Sequence, residues 1–218
     1  MDIKIDSKTV IVFDLDDTLY NEIDYLRSAY IEIAKKVDAQ NWRELFVQMF
    51  SLYRNKENVF DFLTSSYPIS KEDLILSYRE HYPNINLFPG VLAFIEAIKA
   101  KDGKIAIITD GRELTQTSKI KALGLTSLID AIVISEVIGS EKPADRNFTT
   151  IEKKFPGCQY YYIADNLKKD FISPKKLGWQ TIGLIDKGLN IHNNASSFMN
   201  DIHKPANFIF DFNEATVV

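Results

Sequence analysis

Thr9-Val10-Ile11-Val12-Phe13-Asp14-Leu15-Asp16-Asp17-Thr18-Leu19 is the stretch on which the reading of this chain turns. Thr9 to Phe13 is a β-branched and aromatic run without period-2 alternation, the pattern of a strand buried on both faces. It stops abruptly at a carboxylate. Similar apolar runs recur at Lys104 to Thr109, Ala131 to Ser135, Tyr160 to Ala164 and Thr181 to Ile185. Between them lie stretches with helical spacing, Gly90 to Lys101, Glu113 to Leu123, Asn147 to Lys154 and Lys168 to Leu177, several followed by glycine. Strand and helix in alternation predict an α/β fold: a parallel sheet with right-handed crossovers and helices on both faces.

The segment from Tyr20 to Phe88 breaks that rhythm. It holds no buried strand and reads as helical throughout, with one apolar stripe at Ile23, Leu26, Tyr30, Ile33 and Val37 and a second at Trp42, Leu45, Phe46, Met49, Phe50 and Tyr53. Half of the chain's aromatic residues fall in it, which is how a small helical subdomain builds a core of its own. Tyr20, Tyr25 and Trp42 also have the chemistry to stack on a substrate. The expected organisation is a core of residues 1–19 and 89–218 with a helical domain, 20–88, inserted after the first strand. The last thirty or so residues carry only the weak pattern Phe208, Ile209, Phe210, Phe212, which fits a final edge strand or a packed tail.

Composition narrows the function classes. The 218 residues include 26 Lys+Arg and 30 Asp+Glu, a net charge of −4, with no long basic run, which argues against a protein that binds nucleic acid through its phosphates. No apolar stretch approaches a membrane span, and the beginning Met-Asp-Ile-Lys-Ile-Asp-Ser-Lys lacks the apolar segment of a signal peptide. The single cysteine, Cys158, forms no internal disulfide and no thiolate zinc site, so a reducing, cytoplasmic setting is expected. Nothing in the sequence identifies a protein partner.

In open parallel sheets ligands bind where the strands end. Four polar groups fall at such ends or just beyond them: Asp14-Leu15-Asp16-Asp17-Thr18, Thr109-Asp110-Gly111, Lys142 in Glu141-Lys142-Pro143, and Asp165-Asn166 followed by Asp170. Asp14 and Asp16 share a face if the backbone stays extended, and two carboxylates there repel unless a cation sits between them or one keeps its proton. A hard ion with oxygen ligands, Mg²⁺ above all, supplies that cation. The competing reading makes Asp16 or Asp17 the N-cap of the next helix, and Asp165 the cap of the helix at Lys168. Thr109 with the backbone N–H groups of Asp110 and Gly111 reads as a phosphate seat, or simply as a turn. Lys142 adds a fixed positive charge, or is solvated as loop lysines usually are.

Taken together and in this order, Asp-x-Asp-x-Thr, Thr-Asp-Gly, Lys-Pro and Asp-x-x-x-x-Asp resemble the haloacid dehalogenase superfamily of phosphohydrolases over nearly the whole chain. The resemblance implies a three-layer α/β/α Rossmann-like core, a helical C1 cap, and Mg²⁺-dependent hydrolysis of a small phosphorylated metabolite through an aspartyl phosphate. Carried over by position, Asp14 is the nucleophile, Asp16 the general acid and base, and Thr109, Asp110, Gly111 and Lys142 hold the phosphoryl group. Asp14, Asp165 and the Asp16 carbonyl would bind the metal, backed by Thr18, Asn166 and Asp170. Because haloacid dehalogenases lack an acid two residues after the nucleophile, Asp16 disfavours carbon–halogen cleavage. A phosphonatase would carry a Schiff-base lysine in its cap, and Lys35, Lys36, Lys56 and Lys71 all sit in polar surroundings. Ala164 stands where the family usually has glycine. Arg112 stands where it usually has an uncharged residue, and either binds a second anionic group of the substrate or pairs locally; Tyr20 is a further candidate for specificity. The rival function is a phosphorylation-switched signalling or binding module. Receiver domains of that kind place the phosphorylated aspartate on a later strand and have no large helical insertion.

Overall fold

The computed structural model describes residues 1–192 and 196–218. In chain order its elements are β1 (Asp2–Ile3), β2 (Thr9–Phe13), α1 (Glu22–Val37), α2 (Trp42–Arg54), α3 (Val59–Ser66), α4 (Lys71–Glu80), α5 (Val91–Ala100), β3 (Lys104–Thr109), α6 (Glu113–Ala122), β4 (Ala131–Ile134), α7 (Ser135–Ile138), α8 (Asp145–Lys154), β5 (Gln159–Ala164), α9 (Ile172–Lys176), β6 (Gln180–Leu184), β7 (Asn207–Ile209) and β8 (Thr216–Val217). They fall into two compact units, residues 1–22 with 86–218, and residues 23–85.

The larger unit is an α/β layered domain on a parallel six-stranded sheet in the order β4-β3-β2-β5-β6-β7. β2 lies near the middle, and all five of its residues are buried, as its unbroken apolar run requires. The chain builds outward from β2 through β3 to β4, then crosses back to place β5 on the other side of β2. The strand order therefore reverses beside β2, and the loops leaving β2, β3 and β5 converge at their carboxyl ends. One face of the sheet carries Val10, Val12, Ala106, Ile108 and Tyr162 against Phe148, Phe171 and Trp179. Phe148 meets the Tyr162 and Trp179 rings edge-on, with centroids 5.1 and 5.5 Å apart.

Two features differ from the sequence reading, the helix after β5 and the amino-terminal strand, and a third, the C-terminal segment, resolves its alternatives. The helix expected from Lys168 to Leu177 is only the short α9, because the Asp170 carboxylate accepts the Asn166 N–H at 3.0 Å and winds the preceding residues into turns. Asp165 consequently caps no helix. The C-terminal residues supply both alternatives: β7 is an edge strand on β6, and Phe212 packs beside Phe13 and Phe94 at 6.0 and 5.6 Å. The amino terminus adds β1, which pairs with β8 in a separate two-stranded parallel sheet, two residues being too short to show a period.

The smaller unit is wholly helical among its regular elements. Leu26, Tyr30, Ile33, Leu45, Met49, Leu63 and Leu74 form its buried centre, and Trp42, Phe46, Phe50 and Tyr53 pack around them partly exposed. Asn58 caps α3 by accepting the Phe60 and Asp61 N–H groups at 3.1 and 3.2 Å, and Ser70 caps α4 from Asp73 at 3.0 Å.

Candidate active site

Asp14 is the first residue after β2, and its N–H donates to the Ile163 carbonyl at 3.0 Å, which continues the pairing with β5 and fixes the carboxylate at the sheet's edge. Lys142, from the loop after α7, points its ammonium at Asp14 Oδ1 (2.6 Å) and Asp170 Oδ1 (2.7 Å), with the Tyr162 hydroxyl at 3.2 Å. All four groups are buried. Asp165, at the end of β5, takes the Asn190 amide on Oδ2 at 2.7 Å, and the Thr18 hydroxyl lies 3.4 Å from both Asp14 Oδ2 and Asp165 Oδ1. One carboxylate oxygen each from Asp14, Asp165 and Asp170 lies within 4.8 Å of the others.

Lys142 contacts two of the three buried carboxylates, and Lys169 acts on Asp14 from further off. Burial pushes the Asp14 carboxyl up to about 6 against the pull of Lys142, and Asp170 adds to the rise. Burial and then the neighbouring Asp14 charge hold Asp165 well above the usual carboxylate range. Burial alone would lower Lys142, but Asp14 and Asp170 outweigh it and keep its proton on far above neutrality. The donor set is all oxygen and short of positive charge, which fits a hard divalent cation such as Mg²⁺.

Asp16 has partners of its own. Its carboxylate accepts from the Tyr20 hydroxyl, from Lys119 Nζ on Oδ1 at 2.7 Å, and from Gln116 Nε2 on Oδ2 at 2.9 Å. Burial would raise its pKa, but the Lys119 charge and these donors more than offset that and hold it below the ordinary value. Between Asp16 and the Asp14 cluster lies a pocket of about 70 Å³, whose wall also includes Glu22, Thr109, Asp110, Lys169 and His192. Glu22 is pushed up to about 8 by burial and then by the Asp16 charge. His192, 3.9 Å from Glu22, is lowered by burial and then by Lys169.

The other expected residues are distributed as follows. Thr109, at the tip of β3, lines the pocket and accepts from Gln116 Nε2 at 2.5 Å. The Asp110 carboxylate ties the loops together, accepting the Lys142 N–H at 3.0 Å and the Lys169 ammonium at 2.8 Å. The Gly111 N–H goes to Ser135 Oγ at 2.9 Å, so of the two backbone donors expected at this turn, Gly111's already has a protein partner. A Cβ on Gly111 would lie 3.1 Å from the Gln116 side chain, and its φ of +139° independently favours glycine. Asn166 lines the pocket and its backbone meets Asp170. Arg112 pairs with Glu136 at 3.2 Å, is more than half exposed, and opens on a separate hollow with Ser135 and Glu141. Tyr20 is wholly buried behind Asp16.

Gln116, Lys119, Glu22, Lys169 and His192 escaped the sequence reading. Spacing alone puts Gln116 and Lys119, three apart, on one face of α6; that both are buried, and so demand partners, shows only in the fold.

A family model described as haloacid dehalogenase-like hydrolase matches residues 11–184. Among curated proteins, the chain is 28% identical to a glyceraldehyde 3-phosphate phosphatase of Methanocaldococcus jannaschii, over 80% of this chain and 84% of that one. It is 24% identical to a ribulose-1,5-bisphosphate 5-phosphatase of Halopiger xanaduensis, over 80% and 83%. Among solved structures, the magnesium-bound HAD-hydrolase YfnB of Bacillus subtilis superposes with a TM-score of 0.65 at 17% identity, over 94% of this chain and 96% of that one. The L-2-haloacid dehalogenase RSc1362 does so at 0.62 and 15%, over 97% of both chains, a likeness of fold.

Proposed function

The chain belongs to the haloacid dehalogenase-like hydrolases, and from that premise we propose that it is a Mg²⁺-dependent phosphatase of small phosphorylated sugars or similar metabolites, with Asp14 as nucleophile. The observation that carries the reading is the Asp14 carboxylate, 2.6 Å from a buried Lys142 and clustered with Asp165 and Asp170 at the sheet's carboxyl edge. Asp14, Asp165 and the Asp16 carbonyl would hold Mg²⁺, which when bound offsets the negative charge that nucleophile and phosphate bring together.

Asp14 attacks phosphorus and the bond to the leaving oxygen breaks; because Lys119, Tyr20 and Gln116 keep the resting Asp16 ionised, the proton that Asp16 passes to that oxygen is one that arrives with the substrate's phosphate. Water then attacks the aspartyl phosphate, Asp16 takes a proton from it, and the bond to Asp14 breaks, releasing inorganic phosphate and the free carboxylate. Lys142 and the Thr109 hydroxyl hold the phosphoryl oxygens throughout. Thr18, Asn166 and Asp170 support the ligating carboxylates from behind. Asp16 also separates this chemistry from dehalogenation, since a halide leaves unprotonated. The helical unit, residues 23–85, is in this reading the cap that selects the substrate. No described helix is long and apolar enough to cross a membrane. A cytoplasmic setting belongs to the same proposal and rests on the lone Cys158.

The test is phosphate release from a panel of sugar phosphates, including glyceraldehyde 3-phosphate and ribulose 1,5-bisphosphate, together with nucleotides and p-nitrophenyl phosphate, in Mg²⁺ and in EDTA. Metal-dependent release that vanishes in Asp14→Asn is expected. A stable phosphoryl-protein without turnover would replace the enzyme by a phosphorylation-switched module.

A further inference from the structure

Gln116 touches both ends of the proposed chemistry. Its Nε2 is 2.5 Å from Thr109 Oγ1 and 2.9 Å from Asp16 Oδ2. A carboxylate oxygen only accepts, so the amide nitrogen must face Asp16, and an amide nitrogen carries two protons. The second points at Thr109, whose oxygen accepts it. That fixes the hydroxyl rotor: the Thr109 proton turns away from Gln116 and is left to donate to an oxygen in the pocket. Phosphoryl oxygens offer lone pairs and need such donors. Lys119 sits one turn further along α6 and grips the other Asp16 oxygen at 2.7 Å, so both carboxylate oxygens are held. Gln116 and Lys119 are 1% and 3% exposed, so neither is free to swing into solvent. A Cβ at residue 111 would press on the Gln116 side chain at 3.1 Å, so the glycine leaves the amide undisturbed.

Resting on the phosphatase reading, we infer that Gln116 and Lys119 form a positioning clamp: Gln116 aims the Thr109 hydroxyl at the phosphoryl group and orients Asp16, whereas Lys119 orients Asp16 from its other oxygen. Both residues hold Asp16, but Gln116 also holds Thr109, so their removal has different signatures. Gln116→Leu is expected to lower kcat on p-nitrophenyl phosphate about 10- to 100-fold, a fraction of what an acid–base group supplies, and to weaken competitive inhibition by inorganic phosphate about 5-fold. Lys119→Met is expected to lower kcat to a similar degree while KM and the phosphate inhibition constant stay within about 2-fold, and Lys119→Arg to return most of the rate.

The experiment measures kcat, KM and phosphate inhibition for wild type, Gln116→Leu, Lys119→Met and Lys119→Arg, with folding followed by circular dichroism; Gln116→Asn, one methylene short, replaces Gln116→Leu if that variant does not fold. Unchanged phosphate inhibition in the folded Gln116 variant overturns the inference. So do parallel losses of rate and phosphate binding in both variants, the mark of a merely structural helix. A wild-type protein that hydrolyses nothing on the panel overturns the phosphatase reading and the inference with it, whereas wild-type turnover with unaltered variants overturns the inference alone.

Discussion

Asp14 carries opposite demands. Folding places it among Asp165 and Asp170, and burial raises its pKa from 3.8 to about 6 in spite of Lys142 and Lys169, so at neutral pH the folded chain holds an ionised group that its surroundings disfavour. Asp14→Asn imitates the protonated form. It is expected to abolish turnover while raising the stability of the metal-free protein by about 1–3 kcal/mol, the order of a two-unit shift discounted for the hydrogen bond lost from Lys142. Urea denaturation at pH 7.5 in EDTA checks this, and a destabilised Asn variant would show that Lys142 needs Asp14 more than the carboxylates repel it. Asp16→Asn is expected to stay folded and lose two to four orders of magnitude in rate, read by the same phosphate-release assay. These residues were legible in the sequence because each stands where an apolar run stops, and a strand's end is a place that spacing can locate. Gln116, Lys119 and His192 were not. A polar residue on a helix or in a loop looks solvated until the fold shows what it faces.

Among the elements, the strands were easiest to read because both faces of a parallel sheet are covered, and burial leaves an unbroken apolar run. β1 and β8 were invisible for the opposite reason, since two residues have no period. The expected long helix after β5 shrank to α9 because the Asp170 side chain offers the backbone a partner that competes with the helical one. Near the sheet's edge, β6 and β7 meet over Gly183, where a Cβ would lie 2.7 Å from Pro205 and 2.9 Å from Phe208. Gly183→Ala is therefore expected to destabilise the protein by about 1–3 kcal/mol, the usual cost of overpacking. Because Gly183 lies outside the pocket, kcat should stay close to wild type. A thermal melt and a rate assay on one preparation suffice. An unchanged melting temperature would mean that β7 yields freely and is a loosely held edge.

The whole molecule should register its clustered carboxylates as an inverted pH dependence. An acid whose folded pKa is raised binds its proton more tightly in the folded state, so its contribution to stability is lost as pH rises from its unfolded value through its folded one. Asp14 and Asp17 place that loss between about 4 and 6, and Glu22 extends it to about 8. His192, lowered, acts in the opposite sense, but it is one half-exposed group. Metal-free protein should thus melt at progressively lower temperature from pH 5 to pH 8. Most proteins whose carboxylates are stabilised by pairing gain stability over the lower part of that range. A divalent cation binding only the folded, ionised cluster stabilises by mass action, and it competes with protons for the same oxygens. Addition of Mg²⁺ should therefore raise the melting temperature markedly at pH 8 and little at pH 5, EDTA should reverse the gain, and Asp165→Asn should abolish most of it. An equal Mg²⁺ effect at both pH values would place the ion away from Asp14 and Asp165. No effect at pH 8 would mean that Lys142, bridging Asp14 and Asp170, already neutralises the cluster well enough to leave a cation little to do.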